Sequence, residues 1–132
     1  MMKSMQREIK IAAAIIQDEH NKTLLVRKSG TKFFMQAGGK IETSENAIDA
    51  LKREIFEELG ANAPYSNYIG TFSAPAANEP GHIVVAEVFS VTLDKDPIPT
   101  AEIEEIIWLD PADYNKFKIA PLSRLLLEQV SH

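Results

Sequence analysis

The segment at 44–59 has the pattern that most constrains how this chain can fold. Its apolar residues recur at helical spacing, at positions Ile48, Leu51, Ile55 and Leu59. Thr43 or Ser44 can cap the first turn, and Gly60 suits the left-handed residue that commonly ends a helix. We therefore predict an amphipathic helix over 44–59 that buries one side against the rest of the protein.

Strand-like segments lie on both sides of this helix. Apolar runs bounded by turn residues predict strands at 8–17, 23–27, 66–74, 83–93 and 105–109, a short strand and a Gly-Gly loop within 33–42, and a second helix at 120–130. We expect 23–27 to form a hairpin with 8–17, and Pro80-Gly81 to occupy the centre of a type II turn. At 132 residues, this order predicts a single domain, 1–132, of the α/β (α+β) class, with a mixed sheet sandwiched between helices.

Three glutamates are concentrated on the predicted helix. Glu54, Glu57 and Glu58 are spaced i, i+3 and i+4, so they share one side, where each like-charged pair costs roughly 0.2–0.5 kcal/mol. One interpretation is a solvated acidic surface; the other is a divalent cation that offsets the repulsion. Carboxylates are oxygen ligands suited to Mg²⁺ or Mn²⁺, and the chain contains no Cys that could supply a thiolate instead.

Residues 39–61 read GKIETSENAIDALKREIFEELGA and resemble the Nudix box, GX5EX7REUXEEXGU, in which U is an aliphatic residue. All seven fixed non-aliphatic positions are matched, as is the first aliphatic position, Ile55. Ala61 is smaller than the usual final aliphatic residue, Ala37 stands where Pro is frequent, and Ser44 stands where Gly is frequent. The resemblance implies the Nudix α/β/α sandwich and a Mg²⁺- or Mn²⁺-dependent hydrolase. It also implies that water attacks phosphorus in a diphosphate linkage of a nucleoside diphosphate derivative.

The resemblance also implies a role for each matched residue. Glu54 is expected to serve either as a metal ligand or as the base that deprotonates water. Arg53 is expected to hold the catalytic carboxylates by salt bridges, with Glu45 as its partner. The other expected metal ligands are Glu57, Glu58 and the backbone carbonyl of Gly39.

Candidates beyond the fixed positions of the box complete the expected site. The family often has a further metal ligand shortly before the last strand, where Glu102 is the best match and Glu104 and Glu105 are rivals. Two cations flank the presumed site, and the connection between strands 66–74 and 83–93 resembles a specificity loop. The candidate substrate-binding residues are therefore Arg27, Lys40 and Asn78.

The substrate class follows from the resemblance only in outline. A small-molecule nucleotide is expected, either a nucleoside triphosphate or a nucleoside diphosphate linked to another group. The alternative functions are a nucleotide-binding Nudix-like module without catalysis, and a structural protein with an acidic helix. Because every box glutamate is kept, we favour the enzyme.

Charge and hydropathy limit the other partners. The net charge of −5 argues against binding to a nucleic acid polymer or to an anionic membrane. The apolar run that follows the first charged residues is predicted to be a strand and not a signal peptide. We therefore expect a cytoplasmic monomer or homodimer.

Overall fold

The computed structural model describes residues 7–130. Its elements, in chain order, are β1 (Arg7–Ile15), β2 (Thr23–Lys28), β3 (Gly38–Lys40), α1 (Ala47–Leu59), β4 (Tyr65–Pro75), β5 (His82–Thr92), β6 (Ile103–Leu109), a 3₁₀ helix (Pro111–Lys116) and α2 (Pro121–Val130). Within 7–130, no helix is long and apolar enough to span a membrane. The strand predicted at 8–17 is β1, whereas the first six residues of the chain lie outside the described residues.

The strands form one mixed four-stranded sheet and one antiparallel pair. In the sheet the order is β3-β1-β5-β4; β1 runs parallel to β5, and the other pairs are antiparallel. The predicted hairpin of 8–17 with 23–27 is wrong, because β2 pairs with β6 and keeps only a single bridge, Gln17 to Thr23, near β1. One edge of β1 is occupied by β5 and the other, at residues 11–13, by β3, so β2 meets the first strand segment only just beyond β1, where the N–H of Leu24 donates to the carbonyl of Ile16.

Helices cover both faces of the sheet. Ala12 and Ala14 of β1 pack in the cluster that contains Leu51 and Ile55 of α1. The alternate residue, Ala13, packs in the cluster that contains the apolar side of α2. Successive side chains of a strand point to opposite faces, so burial on both sides explains why the second half of this strand, from Ile11 onward, is a continuous apolar run. The predicted sandwich with a mixed sheet between helices is confirmed.

Helix α1 begins three residues later than predicted. Its N-cap is Asn46, whose side chain accepts a hydrogen bond from the backbone N–H of Asp49 at 3.0 Å. The prediction of Thr43 or Ser44 as the cap is wrong, because the backbone N–H of Glu45 closes a turn onto the carbonyl of Glu42. The predicted stop is confirmed: Gly60 has φ +64° and donates its N–H to a carbonyl of the last turn.

The Gly-Gly segment predicted to be a loop is strand β3, which lies between β1 and α1. A Cβ on Gly38 would overlap the carbonyl oxygen of Ala12, and a Cβ on Gly39 would lie 2.5 Å from the carboxyl carbon of Glu54. Glycine at both positions therefore allows the backbone to approach the sheet on one side and an acidic side chain of α1 on the other.

Candidate active site

The three glutamates of α1 have different environments. Glu58 is only 2% exposed, and the Glu54 side chain is 15% exposed. The Glu57 side chain, by contrast, is 53% exposed. Residues i and i+4 lie one above the other on a helix, so Glu54 and Glu58 both approach β3 while Glu57 faces the solvent. The acidic surface predicted from spacing is thus one exposed carboxylate beside two that are largely covered.

Glu58 is a carboxyl group inside the protein with only part of its hydrogen-bonding capacity used. Its Oε1 accepts a hydrogen bond from the backbone N–H of Gly38 at 3.0 Å. Its Oε2 is buried and has no hydrogen-bond partner within residues 7–130. Burial raises the pKa of Glu58 to about 8, against the opposing effects of the Gly38 N–H and of the nearby Lys28 charge.

This pKa predicts how stability depends on pH in the absence of metal. The folded protein keeps a proton on Glu58 up to about pH 8, whereas the unfolded chain releases it near the ordinary value of 4.5. The contribution of this proton to stability is therefore complete below the unfolded pKa and is lost as pH rises through the folded pKa. Glu58→Gln, which cannot ionise, should gain stability relative to the parent as pH rises from about 5 to about 9.

The measurement is urea unfolding in a chelating buffer at the two pH values. Glu57→Gln is the matched control, since it makes the same change on the same helix at an exposed carboxylate. Its stability relative to the parent should change much less between the two pH values. An equal gain for Glu58→Gln at both values would contradict the assignment of a protonated, buried Glu58.

Arg53 connects α1 to the segment before it through hydrogen bonds and ion pairs. Its guanidinium Nη2 lies 2.6 Å from Glu45 and its Nη1 lies 3.0 Å from Glu54, while Nη2 also donates to the carbonyl of Lys40 at 3.2 Å. The hydrogen bonds with Glu45 raise the pKa of Arg53 and lower that of Glu45. The ion pair expected between Arg53 and Glu45 is therefore present. Its consequence is that the Glu54 carboxylate is held against Gly39.

Two opposing effects act on the pKa of Glu54. Burial raises its pKa, and the charge and hydrogen bond of Arg53 lower it. The carboxylate is largely covered and has a fixed orientation. Those are the properties required of either role expected for Glu54, metal ligand or base.

A cavity of about 180 Å³ opens beside β3, on the side of the sheet covered by α2. Lys40 and Asn78, both expected to bind substrate, line it. Asn78 lies in the connection between β4 and β5, where Gly81 has φ +80° and the N–H of His82 donates to the carbonyl of Glu79. This geometry confirms the predicted type II turn and places the proposed specificity loop beside the cavity.

Arg27 does not line this cavity. Its guanidinium lies 3.3 Å from Glu104 and 3.1 Å from Glu105, and it also donates to the carbonyl of Thr31. The two rival carboxylates of the last strand are therefore paired with Arg27. The proposed role of Arg27 in phosphate binding stays a prediction.

The neighbouring cation, Lys28, was missed by the sequence analysis. It lines the cavity, and its Nζ lies 3.6 Å from Glu102. Burial has the largest effect on the pKa of Glu58, and the charges of Lys28 and Glu102 also affect it. These two residues are therefore close enough to act electrostatically on Glu58. The signal was present in the alternation of β2, because Val26, two residues earlier, packs in the cluster of α1. The role of Glu102 as a metal ligand stays a prediction.

The donor set fits a hard divalent cation. Glu58 Oε2 is a buried carboxylate oxygen without a partner, and the covered Glu54 carboxylate is close to Glu58. Carboxylate and carbonyl oxygens are the ligands that Mg²⁺ and Mn²⁺ prefer. The described part of the chain contains no three His, Cys, Asp or Glu side chains already converged on one point. Binding by all three helix glutamates would therefore require Glu57 to turn inward and Glu54 to divide its oxygens between Arg53 and the cation.

Comparison with known proteins identifies the family. Residues 8–130 match the model of the NUDIX domain. The chain is 28% identical over 124 residues to the CTP pyrophosphohydrolase of Escherichia coli, covering 91% of this chain and 89% of that protein. The solution structure of the E. coli ORF135 protein is 28% identical with a TM-score of 0.74, over 93% of this chain and 88% of that one.

A further solved structure shares the fold. The crystal structure of a MutT NUDIX hydrolase from Burkholderia pseudomallei is 23% identical, with a TM-score of 0.77 over 95% of this chain and 99% of that one. The architecture of a mixed sheet between two helices is therefore that of solved Nudix proteins. With its matched box on β3 and α1, this chain belongs to the NUDIX family and is a Nudix hydrolase.

Proposed function

We propose that this protein is a Mg²⁺- or Mn²⁺-dependent pyrophosphohydrolase of small nucleotides. Its substrate would be a nucleoside triphosphate or a nucleoside diphosphate linked to another group. The observation that carries the proposal is the buried Glu58 carboxylate, whose Oε2 has no partner within 7–130 and which lies beside Glu54. A carboxyl group held in this way is costly to the fold, so a binding partner of opposite charge is its best physical explanation. The name of the E. coli relative, a CTP pyrophosphohydrolase, supports a nucleotide substrate.

The proposal assigns roles to the residues around β3. The residues that would hold the cation are Glu54, Glu57, Glu58, Glu102 and the backbone carbonyl of Gly39. When bound, the cation offsets the charge of the diphosphate and activates water for attack at phosphorus. Arg53 fixes the orientation of Glu54, which would alternatively take the proton from that water. Lys40, Lys28 and Asn78 line the adjacent cavity, where they would contact the phosphates and the rest of the nucleotide.

Metal binding should be visible as a gain in stability. A cation that binds only the folded protein stabilises it by about 2.7 kcal/mol at a hundred times its dissociation constant, so Tm should rise by several degrees. The double variant Glu57→Gln, Glu58→Gln should lose this rise. Glu128→Gln makes the same change at an exposed position of α2 and should keep it. The measurement is a thermal melt in chelator and in increasing MgCl₂ or MnCl₂.

Catalysis requires a second measurement on the same proteins. Formation of the nucleoside monophosphate from CTP, the other nucleoside triphosphates and ADP-ribose is expected from the parent only when Mg²⁺ or Mn²⁺ is present. A double variant that responds to metal as the parent does would place the cation elsewhere. Nucleotide binding without turnover in either metal would instead indicate the non-catalytic binding module.

A further inference from the structure

Thr100, in the connection between β5 and β6, holds the end of α1 that carries Glu57 and Glu58. Its hydroxyl donates a hydrogen bond to the backbone carbonyl of Glu57, and its backbone N–H donates to the carbonyl of Glu58 at 3.0 Å. The N–H of Ile98 donates to the next carbonyl, that of Leu59, at 2.9 Å. The last carbonyls of a helix have no partner within the helix, so these contacts fix the backbone of its final turn.

The same residue begins the turn that carries Glu102. The carbonyl of Thr100 accepts a hydrogen bond from the N–H of Ile103 at 3.0 Å, which closes a turn with Glu102 at its third position. Ala101, at the second position, has φ +52°, a conformation that is uncommon for residues other than glycine. The carbonyl of Glu102 accepts a hydrogen bond from the N–H of Ser29 at 2.8 Å. The backbone of Glu102 is therefore held from both sides.

The Glu102 carboxylate lies near those of α1 but is not held by packing. Burial has the largest effect on the pKa of Glu58, and the charge of Glu102 raises it further. The Glu102 side chain is 64% exposed and pairs with Lys28 at 3.6 Å, and the Glu57 side chain is 53% exposed. The position of each exposed carboxylate therefore depends on its backbone, and Thr100 joins the two backbones directly.

We propose that Thr100 is a positioning residue of the metal site: its hydroxyl holds Glu102 in place relative to α1, so that the helix and the turn present their carboxylates to one cation. This inference rests on the proposed function, since it takes Glu57, Glu58 and Glu102 as ligands. Thr100 and Glu57 are 43 residues apart in the chain, so their hydrogen bond is a direct link between two distant segments. Residues that orient metal ligands contribute to affinity because the ligands must be held where the cation binds.

The test measures binding of Mn²⁺ to the nucleotide-free protein, from the electron paramagnetic resonance signal of the free ion. Thr100→Val replaces the hydroxyl by a methyl group of nearly the same size and keeps the N–H that bonds to Glu58. It should weaken Mn²⁺ binding about tenfold, as expected for a residue that orients ligands. Thr100→Ser keeps the hydroxyl and should bind Mn²⁺ with nearly the affinity of the parent.

A double-mutant cycle decides whether Thr100 acts through Glu102. Glu102→Ala alone should also weaken Mn²⁺ binding. In the Glu102→Ala background, Thr100→Val should weaken binding by less than about twofold, because the carboxylate that it positions is gone. A residue that only caps α1 would weaken binding by the same factor in both backgrounds.

Asn62→Ala controls for a general loosening of the connection between β5 and β6. The Asn62 side chain donates to Asp94, near the start of this connection, at 3.1 Å. Thr100→Val and Asn62→Ala each remove one hydrogen bond that holds the connection, and both should lower Tm. Only Thr100→Val should weaken Mn²⁺ binding. An equal loss of Mn²⁺ affinity in the two variants would overturn the inference.

The inference and the proposed function fail in different ways. Unchanged Mn²⁺ affinity in Thr100→Val, or an equal effect of this substitution with and without the Glu102 carboxylate, would overturn the inference. Hydrolysis of nucleotides by the parent would then still support the proposed function. A parent that binds no Mn²⁺ would also overturn the inference. The expected cycle in a parent that hydrolyses no nucleotide would overturn the proposed hydrolysis alone.

Discussion

Glu58→Gln is expected to lower kcat by about 10²–10³-fold, the usual effect of losing one group that acts on the transition state. The amide keeps the shape of the side chain, but it cannot carry the charge that a metal ligand supplies beside the reacting phosphates. In the metal-free protein the same change removes a carboxyl group that burial disfavours in its charged form. Activity and stability should therefore change in opposite directions at alkaline pH.

Glu57→Gln tests whether the exposed carboxylate takes part as well. The side chain of Glu57 is half exposed, so this substitution should change the stability of the metal-free protein little. A similar loss of kcat would show that it turns inward when the cation binds. The measurement is turnover of the best nucleotide at saturating Mg²⁺, with Glu128→Gln as the control on an exposed helix surface. Full turnover in both Glu57→Gln and Glu58→Gln would mean that the acidic residues serve no catalytic purpose.

Arg53→Ala is expected to reduce stability and activity together. The guanidinium joins Glu45, Glu54 and the carbonyl of Lys40, so its loss leaves neighbouring carboxylates without a counter-charge and breaks several hydrogen bonds. Charge-assisted hydrogen bonds of this kind suggest a cost of about 1–3 kcal/mol in the free energy of unfolding. Activity should fall by roughly 10–100-fold, as for residues that orient metal ligands.

A double-mutant cycle isolates the contribution of the ion pair. Arg53→Ala, Glu45→Ala and the double variant are compared by urea unfolding and by kcat in Mg²⁺. Because Arg53 and Glu45 contact each other directly, the two single effects on stability should not add. Arg53→Lys should recover only part of the loss, since an ammonium cannot make the paired hydrogen bonds of a guanidinium. Strictly additive effects would show that Arg53 acts without Glu45.

The sequence by itself determined the features that depend on neighbours along the chain. The periodicity of 44–59 predicted α1 and its stop at Gly60, because helical side chains and the left-handed cap are set within a few residues. The spacing of Glu54, Glu57 and Glu58 placed them on one side of α1, and the resemblance to the family implied the pairing of Arg53 with Glu45. The apolar run that begins at Ile11 likewise predicted the strand at 8–17, which is β1.

The tertiary structure alone decided which residues each of these elements and side chains contacts. Contacts between distant segments decide that Glu58 is buried and Glu57 is not. Such contacts also place Lys28 at the cavity instead of Arg27, and they pair β2 with β6. The same holds for Gln36, whose side-chain oxygen accepts a hydrogen bond from a hydroxyl of a helix at the far end of the chain. Periodicity indicates which face of a helix or strand is buried. The free energy of a buried charge or amide, however, depends on the atoms that lie opposite it. Those atoms are brought there only by the packing of the whole sandwich.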